Sequence, residues 1–148
     1  MASDTARKIF VNLAVADLER SVAFFDALGF TFDARFTDET ATCMVVSDEA
    51  FVMLLQENRF ADFTKKHLAD SKVQVEAIVA VSAESREEVD ELADKALAAG
   101  GAPASDPIDM GFMYSRSFDD PDGHQWEVVW MDPSAVESGP PAEAHASS

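Results

Sequence analysis

Few residues of this chain could do chemistry, and one carboxylate stands out among them. Glu127 lies in the middle of Gln125-Trp126-Glu127-Val128-Val129-Trp130, a run rich in aromatic and β-branched residues that reads as a strand. A carboxylate in such a run serves as a metal ligand, a general base or substrate anchor in an apolar cavity, or one half of an ion pair, with Arg116 as a candidate partner. Immediately upstream, Asp120-Pro121-Asp122-Gly123 is a turn: Pro presets φ at its second position, Asp bonds back to its own backbone, and Gly accepts φ > 0. The histidines are His67, His124 and His145. His124 precedes Glu127 by an odd offset, which on a strand puts the two side chains on opposite faces, so without a bulge they cannot share a cation. Cys43 is the one cysteine, which excludes an intrachain disulfide and a cysteine-based zinc site. With no basic neighbour in ETATCMVV, it reads as a buried free thiol rather than a nucleophile.

Three further polar side chains accompany apolar ones at strand spacing. Phe112, Tyr114, Arg116 and Phe118 share one face by period two. Turned inward, Tyr114 and Arg116 offer a donor and a cation beside aromatic walls, suited to an anionic or aromatic ligand. Turned outward, they pack on a helix or at a dimer contact, and the sequence leaves both open. Asn12 shares a face with Phe10, either as a ligand contact or as a hydrogen-bonded core residue. Trp126 and Trp130 alternate with Glu127 and should face the helices as core.

The elements that must position these residues come in two similar sets. Lys8 to Val15 is a strand, Asp17 caps the helix LERSVAFFDAL with Leu18, Val22, Phe25 and Leu28 on one face, and Gly29 ends it. Strands follow over 30–36, 40–47 and 50–56, separated by acidic turns, giving β-α-β-β-β. Residues 58–74 are a connector with a possible short helix around Phe60 and Phe63, in which His67 is solvated. The pattern then repeats. Val75 to Ala83 is a strand, and Ser85 with Glu88 forms a capping box for REEVDELADKALAA, whose buried face is Val89, Leu92, Ala93, Ala96 and Leu97. Gly100-Gly101 ends that helix, a proline-punctuated stretch leads to strand 111–118, and Gln125 to Met131 is the last strand. Val15 thus corresponds to Ala83, and internal duplication is the organising feature. The expected layout is an N-terminal arm (1–7), a first module (8–57), the connector (58–74), a second module (75–132) and a disordered Pro/Ala/Ser/Glu tail (133–148).

Composition narrows the class. The 148 residues are long enough for one full core or two small halves, and 47% are apolar. Acidic residues outnumber basic ones 28 to 11, for a formal charge of −17, which repels nucleic-acid backbones and anionic lipid. No run approaches a membrane span, and no apolar signal region precedes the first strand, so a cytoplasmic location is expected.

Two βαβββ modules, opened by Val15-x-Asp17-Leu18-x-Arg20-Ser21, Phe24-Phe25 and Leu28-Gly29-Phe30 and closed by Asp120-Pro121-Asp122-Gly123 with Glu127, resemble the vicinal oxygen chelate superfamily. That superfamily includes glyoxalase I, extradiol dioxygenases and the bleomycin- and fosfomycin-resistance proteins, and the resemblance spans about residues 8 to 132. It implies an α+β fold of two tandem βαβββ modules whose curved sheets form a pseudo-barrel around a ligand cavity. It also implies, in metal-dependent members, a His on the first strand and a Glu or Gln on the last strand of each module. The cation they hold polarises two vicinal substrate oxygens.

Matched residue by residue, those positions fall on Phe10, on Ile78 (or Ala77, one residue away), on Leu54 and on Glu127. Hydrocarbon side chains donate no lone pair, and one carboxylate does not hold a divalent cation, so no metal cofactor is expected. The leading expectation is then a homodimeric small-molecule binder of the drug-sequestering kind, with Phe10, Leu54, Ile78 and Glu127 as ligand contacts from the resemblance and Asn12, Tyr114 and Arg116 as candidate contacts from strand periodicity. The alternatives are a lyase (lactoylglutathione lyase-like) or dioxygenase with a relocated metal, and a metal-free enzyme, such as an isomerase, using Glu127 as base.

Overall fold

In a computed structural model, residues 7–139 are described, and the chain divides into two compact units, Met1–Gln74 and Val75–Ser148. The first follows a β-α-β-β-β plan and the second the same plan with one edge strand in two pieces, together an α+β protein. None of the described helices is long and apolar enough to cross a membrane.

The first unit runs β1 (Ile9–Val15), α1 (Leu18–Ala27), β2 (Thr31–Asp33), a single 3-10 turn (Ala34–Phe36), β3 (Ala41–Val45), β4 (Ala50–Gln56) and α2 (Glu57–Ala61). Its sheet has the order β1-β4-β3-β2, with β1 parallel to β4 and the other pairs antiparallel. Asp17 caps α1 by accepting from the Arg20 amide at 3.2 Å, and Gln56 Oε1, from the end of β4, accepts from the Leu18 amide at 2.8 Å. The helix ends as Gly29 swings to φ 99, with the Gly29 amide donating to Asp26 and the Phe30 amide to Phe25. Its buried face is Leu18, Ser21, Phe24 and Phe25, continued by Leu28. Val22, expected inside, is half-exposed because the face is rotated toward Phe24. These side chains cover Thr42, Met44, Val52 and Leu54, all of which are buried. Fully burying a Phe or Leu contributes about 1.5–3 kcal/mol, so this layer is the unit's core. The strand expected over 30–36 stops at Asp33, whose carboxylate accepts from the Arg35 amide at 3.0 Å and turns the chain.

The second unit runs β5 (Ile78–Ser82), α3 (Arg86–Ala98), β6 (Ala102–Pro103), β7 (Ile108–Asp109), β8 (Met113–Asp119), β9 (Gln125–Met131) and α4 (Pro133–Ser138). The order is β5-β9-β8-β6, with β7 also pairing β8, and β5 is parallel to β9. Ser85 Oγ accepts from the Glu88 amide at 3.1 Å, while Glu88 Oε1 accepts from the Glu84 amide at 3.3 Å. This is the expected box, displaced by one residue on its return arm. Val89, Ala93 and Ala96 are buried; Leu92 is half-buried and Leu97 is exposed, so the apolar stripe is narrower than expected. The edge beside β8 is split into β6 and β7 by a stretch bounded by Pro103 and Pro107, residues that lack the amide a continuous ladder needs.

In each unit the last strand runs into a short helix. The helix expected in the connector is α2, confined to Glu57–Ala61. The residues after Asp132, expected as disordered tail, form α4 at Pro133–Ser138 instead. Asp132 caps this helix by accepting from the Ser134 amide at 2.9 Å, Pro occupies its first turn, and Ala135 is buried. Residues 140–148 and most of the N-terminal arm (1–6) lie outside the described residues.

Candidate functional site

Glu127 owes its position to the turn that precedes it. Asp120, rather than the more conspicuous Asp122, organises that turn. One of its carboxylate oxygens accepts from the Asp122 and His124 amides at 2.9 and 3.0 Å, and the other accepts from Trp126 Nε1 at 3.1 Å. Burial pushes the Asp120 carboxyl above the ordinary carboxylate range, opposed by nearby His124 and by the indole hydrogen bond. Gly123 closes the turn at φ 88. The carboxylate thereby fixes the indole of Trp126 on the buried side of β9, and alternation sends Glu127 to the other side.

That other face is defined by register. Ala80 on β5 and Ser117 on β8 flank Glu127 directly. Asp119 and Gln125 sit one pair toward the turn and Ser115 and Val129 one pair away from it, while Ile78 pairs with Gln125. Ile78 therefore shares the Glu127 face, as expected, whereas Ala77 precedes the strand. Glu127 is half-buried, and its carboxylate makes no hydrogen bond or ion pair with any described residue. Ser117, opposite it, is already engaged: its Oγ accepts from the Ser105 amide at 2.8 Å and lies 3.3 Å from the Ser105 carbonyl, to which it donates.

Tyr114 and Arg116 lie on the opposite face, against α3. The Tyr114 hydroxyl donates to Asp90 at 2.6 Å, and Arg116 donates to Asp90 at 3.1 Å and to Asp94 at 2.9 Å. These bonds lower the Asp90 carboxyl, chiefly through Tyr114, and raise the Tyr114 hydroxyl through the same bond. The expected ion pair of Glu127 with Arg116 is thus absent: Arg116 is on the other side of the sheet and satisfied there. Beside it, Arg86 lies over the rings of Tyr114 and Trp130, at 5.1 and 5.2 Å from their centroids, and its guanidinium grips Asp109 with bonds of 3.0 and 2.9 Å. Trp130 therefore faces away from Glu127, in line with alternation.

In the first unit the corresponding face carries Phe10, stacked on Phe51 with centroids 5.0 Å apart. Phe10 is 51% exposed. Asn12 is exposed rather than a core residue, and its amide reaches only the Phe10 carbonyl at 3.3 Å. Leu54, by contrast, is 0% exposed and belongs to the helix-covered face. Phe10 pairs with Phe51 and Asn12 with Met53, just as Ile78 pairs with Gln125 and Ala80 with Glu127. The first-unit counterpart of Glu127 is consequently Met53. Leu54, the expected match, lies one residue further along β4, and on a strand that single step turns its side chain to the other face. Cys43 pairs with Met53 and is buried, and burial pushes its thiol above the usual range.

The four positions where a metal-dependent site would draw its ligands are thus Phe10, Met53, Ile78 and Glu127. Phe10 and Ile78 are hydrocarbon and Met53 offers only a soft thioether, so of the four positions Glu127 alone carries a hard donor, which does not fit a divalent-cation site. Among the described residues, no group of three or more His, Cys, Asp or Glu side chains is placed to hold one.

What the sequence reading missed on this face is Asp119, Ser115 and Gln125. Their signal was available, since they lie at even offsets from Ser117 and Glu127 on paired strands. Using it required knowing the β8–β9 register.

A family model described as Glyoxalase/Bleomycin resistance protein/Dioxygenase superfamily matches residues 9–128. Among solved structures, the hypothetical protein SA1046 from S. aureus is similar at 27% identity and TM-score 0.72, over 85% of this chain and 94% of that one. A lactoylglutathione lyase from Agrobacterium tumefaciens is similar at 17% identity and TM-score 0.61, over 86% and 96%. The fosfomycin resistance protein FosX from Listeria monocytogenes is similar at 21% identity and TM-score 0.58, over 88% and 92%. No curated protein matches the sequence.

Proposed function

Because the chain belongs to the Glyoxalase/Bleomycin resistance protein/Dioxygenase superfamily, we propose that it binds a small organic molecule without a divalent metal, on the sheet face that carries Glu127. The observation behind this reading is that Glu127 shares its face with Ile78 and Ala80, and that no other matched ligand position in either unit carries a hard donor. A face that offers hydrocarbon where metal donors would stand suits an organic ligand, whose apolar body gains from contact with Ile78 and Ala80. Phe10 and Ile78 are each 51% exposed, large apolar surface available to a ligand or to a second copy of the chain, and a homodimer is part of this reading. The formal charge of −17 argues against nucleic-acid and anionic-membrane partners.

The test is elemental analysis of the purified chain after incubation with nickel, zinc, manganese and iron(II), followed by gel filtration. Less than about a tenth of an equivalent of each is expected, as a lone carboxylate holds such ions weakly. A full equivalent of any of them, lost in Glu127→Gln, overturns the reading and restores the lyase or dioxygenase alternative.

The isolation of Glu127 favours a second reading, a metal-free proton-transfer enzyme. A carboxylate with no hydrogen bond to a described residue is open to a substrate proton. An isomerase-type activity that survives Glu127→Gln undiminished eliminates it.

A further inference from the structure

The Glu127 face has a consistent electrostatic character. Asp119 occupies the same face, diagonal to Glu127 across the β8–β9 pair, a placement that puts such side chains about 7 Å apart or less. The Asp119 carboxylate, like that of Glu127, makes no hydrogen bond or ion pair with a described residue. Burial alone pushes its carboxyl above the ordinary range, with no cation or donor to bring it back down. In β5, β8 and β9 the only basic residue is Arg116, which is on the opposite face and held by Asp90 and Asp94.

A second, independent feature lies beside the carboxylates. Ser115 is on this face, diagonal to Glu127 on the side away from Asp119, and only 2% exposed. Its hydroxyl bonds to no described residue. Among the described residues no side-chain polar atom is both sealed from solvent and unbonded, so the Ser115 Oγ keeps some of the little surface that residue retains. A hydroxyl held almost wholly inside the protein, not fully sealed and without a partner among the described residues, is prepared for a partner from outside.

We infer that the ligand of this face is an amine: an ammonium group between Glu127 and Asp119, a polar substituent at Ser115, and a hydrocarbon body over Ile78 and Ala80. This deepens the proposed function and rests on it. It also reverses the ligand charge that Tyr114 and Arg116 would have implied had they faced inward. An anion on this face meets two carboxylates without described partners and no basic side chain from β5, β8 or β9. An ammonium supplies the hydrogen bonds that both carboxylates lack.

The experiment is a titration of the nitrogen-15-labelled full chain with three probes of one shape: 2-phenylethylamine, 2-phenylethanol and 3-phenylpropionate. The amine is expected to bind at least about tenfold more tightly than either other probe, shifting the amides of Ala80, Ser117 and Glu127, with a preference that weakens as salt is raised. In Glu127→Gln/Asp119→Asn that preference is lost. Should the double variant lose its dispersed spectrum, Glu127→Gln alone carries the comparison. Equal or tighter binding of the alcohol or the carboxylate at the same amides overturns the amine assignment and leaves the small-molecule reading standing. Amine binding centred on other residues also overturns the assignment. Failure of all three probes to bind removes both.

Discussion

Replacing Asp120 with Asn keeps the shape of the side chain and removes one acceptor oxygen. In the native turn one oxygen holds the Asp122 and His124 amides and the other holds Trp126 Nε1. An asparagine can satisfy one side only. With its oxygen toward the two amides, its NH2 meets the indole N–H, donor against donor, on a tryptophan that is 1% exposed. Leaving a buried donor unpaired costs about 1–3 kcal/mol. Neutralising a carboxyl whose burial disfavours its charge returns part of that, so Asp120→Asn should lose about 1–2 kcal/mol at neutral pH. Asp120→Ala removes the acceptors of all three bonds and should lose about 3 kcal/mol. Because the folded-state pKa of Asp120 is raised, its stabilising contribution is fully present below the unfolded value of about 4 and declines as pH rises through the folded value. The gap between the wild type and Asp120→Asn should therefore be wider at pH 3 than at pH 7, to the extent of that raised pKa. Urea unfolding followed by tryptophan fluorescence gives the stabilities, and the Trp126 indole proton in NMR reports the bond itself. If Asp120→Asn lies within about 0.5 kcal/mol of the wild type with its indole proton unmoved, the Asp120–Trp126 bond is not what fixes β9.

The β4 register predicts opposite outcomes for adjacent residues: Leu54→Ala should cost about 3 kcal/mol in urea unfolding, whereas Met53→Ala should cost under about 1 kcal/mol, and the reverse order would refute the assigned faces. The Arg86 guanidinium holds the Asp109 carboxyl down at about 2. Its stabilising contribution is therefore complete above the ordinary carboxylate pKa of about 4 and is lost as pH falls through about 2. Carboxyl carbon-13 NMR should show the Asp109 titration rising into the ordinary range in Arg86→Ala, and an unchanged midpoint would deny the pair its role.

Much of this architecture was legible because local signals repeat. Asp17 and Ser85 announce two helices, Gly29 and Gly100 end them, and the DPDG turn introduces the strand that bears Glu127. Each is a short-range effect, a cap or a positive φ, that needs no knowledge of the rest of the chain. What failed to be read depends on long-range register. Leu54 and Met53 differ by one position, and both are apolar, so composition could not say which shares a face with Phe10. Tyr114 and Arg116 carry no mark of their side of the sheet until Asp90 and Asp94 on α3 come to meet them. The helix at Pro133–Ser138 was hidden by composition, since a Pro/Ala/Ser segment resembles a solvated tail unless the Asp132 cap is given weight. Asp119 falls between the expected strand 111–118 and the DPDG turn, and only as the last residue of β8 does it face the same way as Ser117.

The strand order has a consequence for how the site comes into being during synthesis. In the second unit β9 lies between β5 and β8, and both of those precede it in the chain. Until Gln125–Met131 leaves the ribosome, the sheet lacks its middle strand, and Ala80 and Ser117 have no neighbour to bring them together. Because its defining strand arrives last, no nascent chain holds an early, partial version of the site, and a product truncated ahead of the DPDG turn has unpaired strand edges where the site should be.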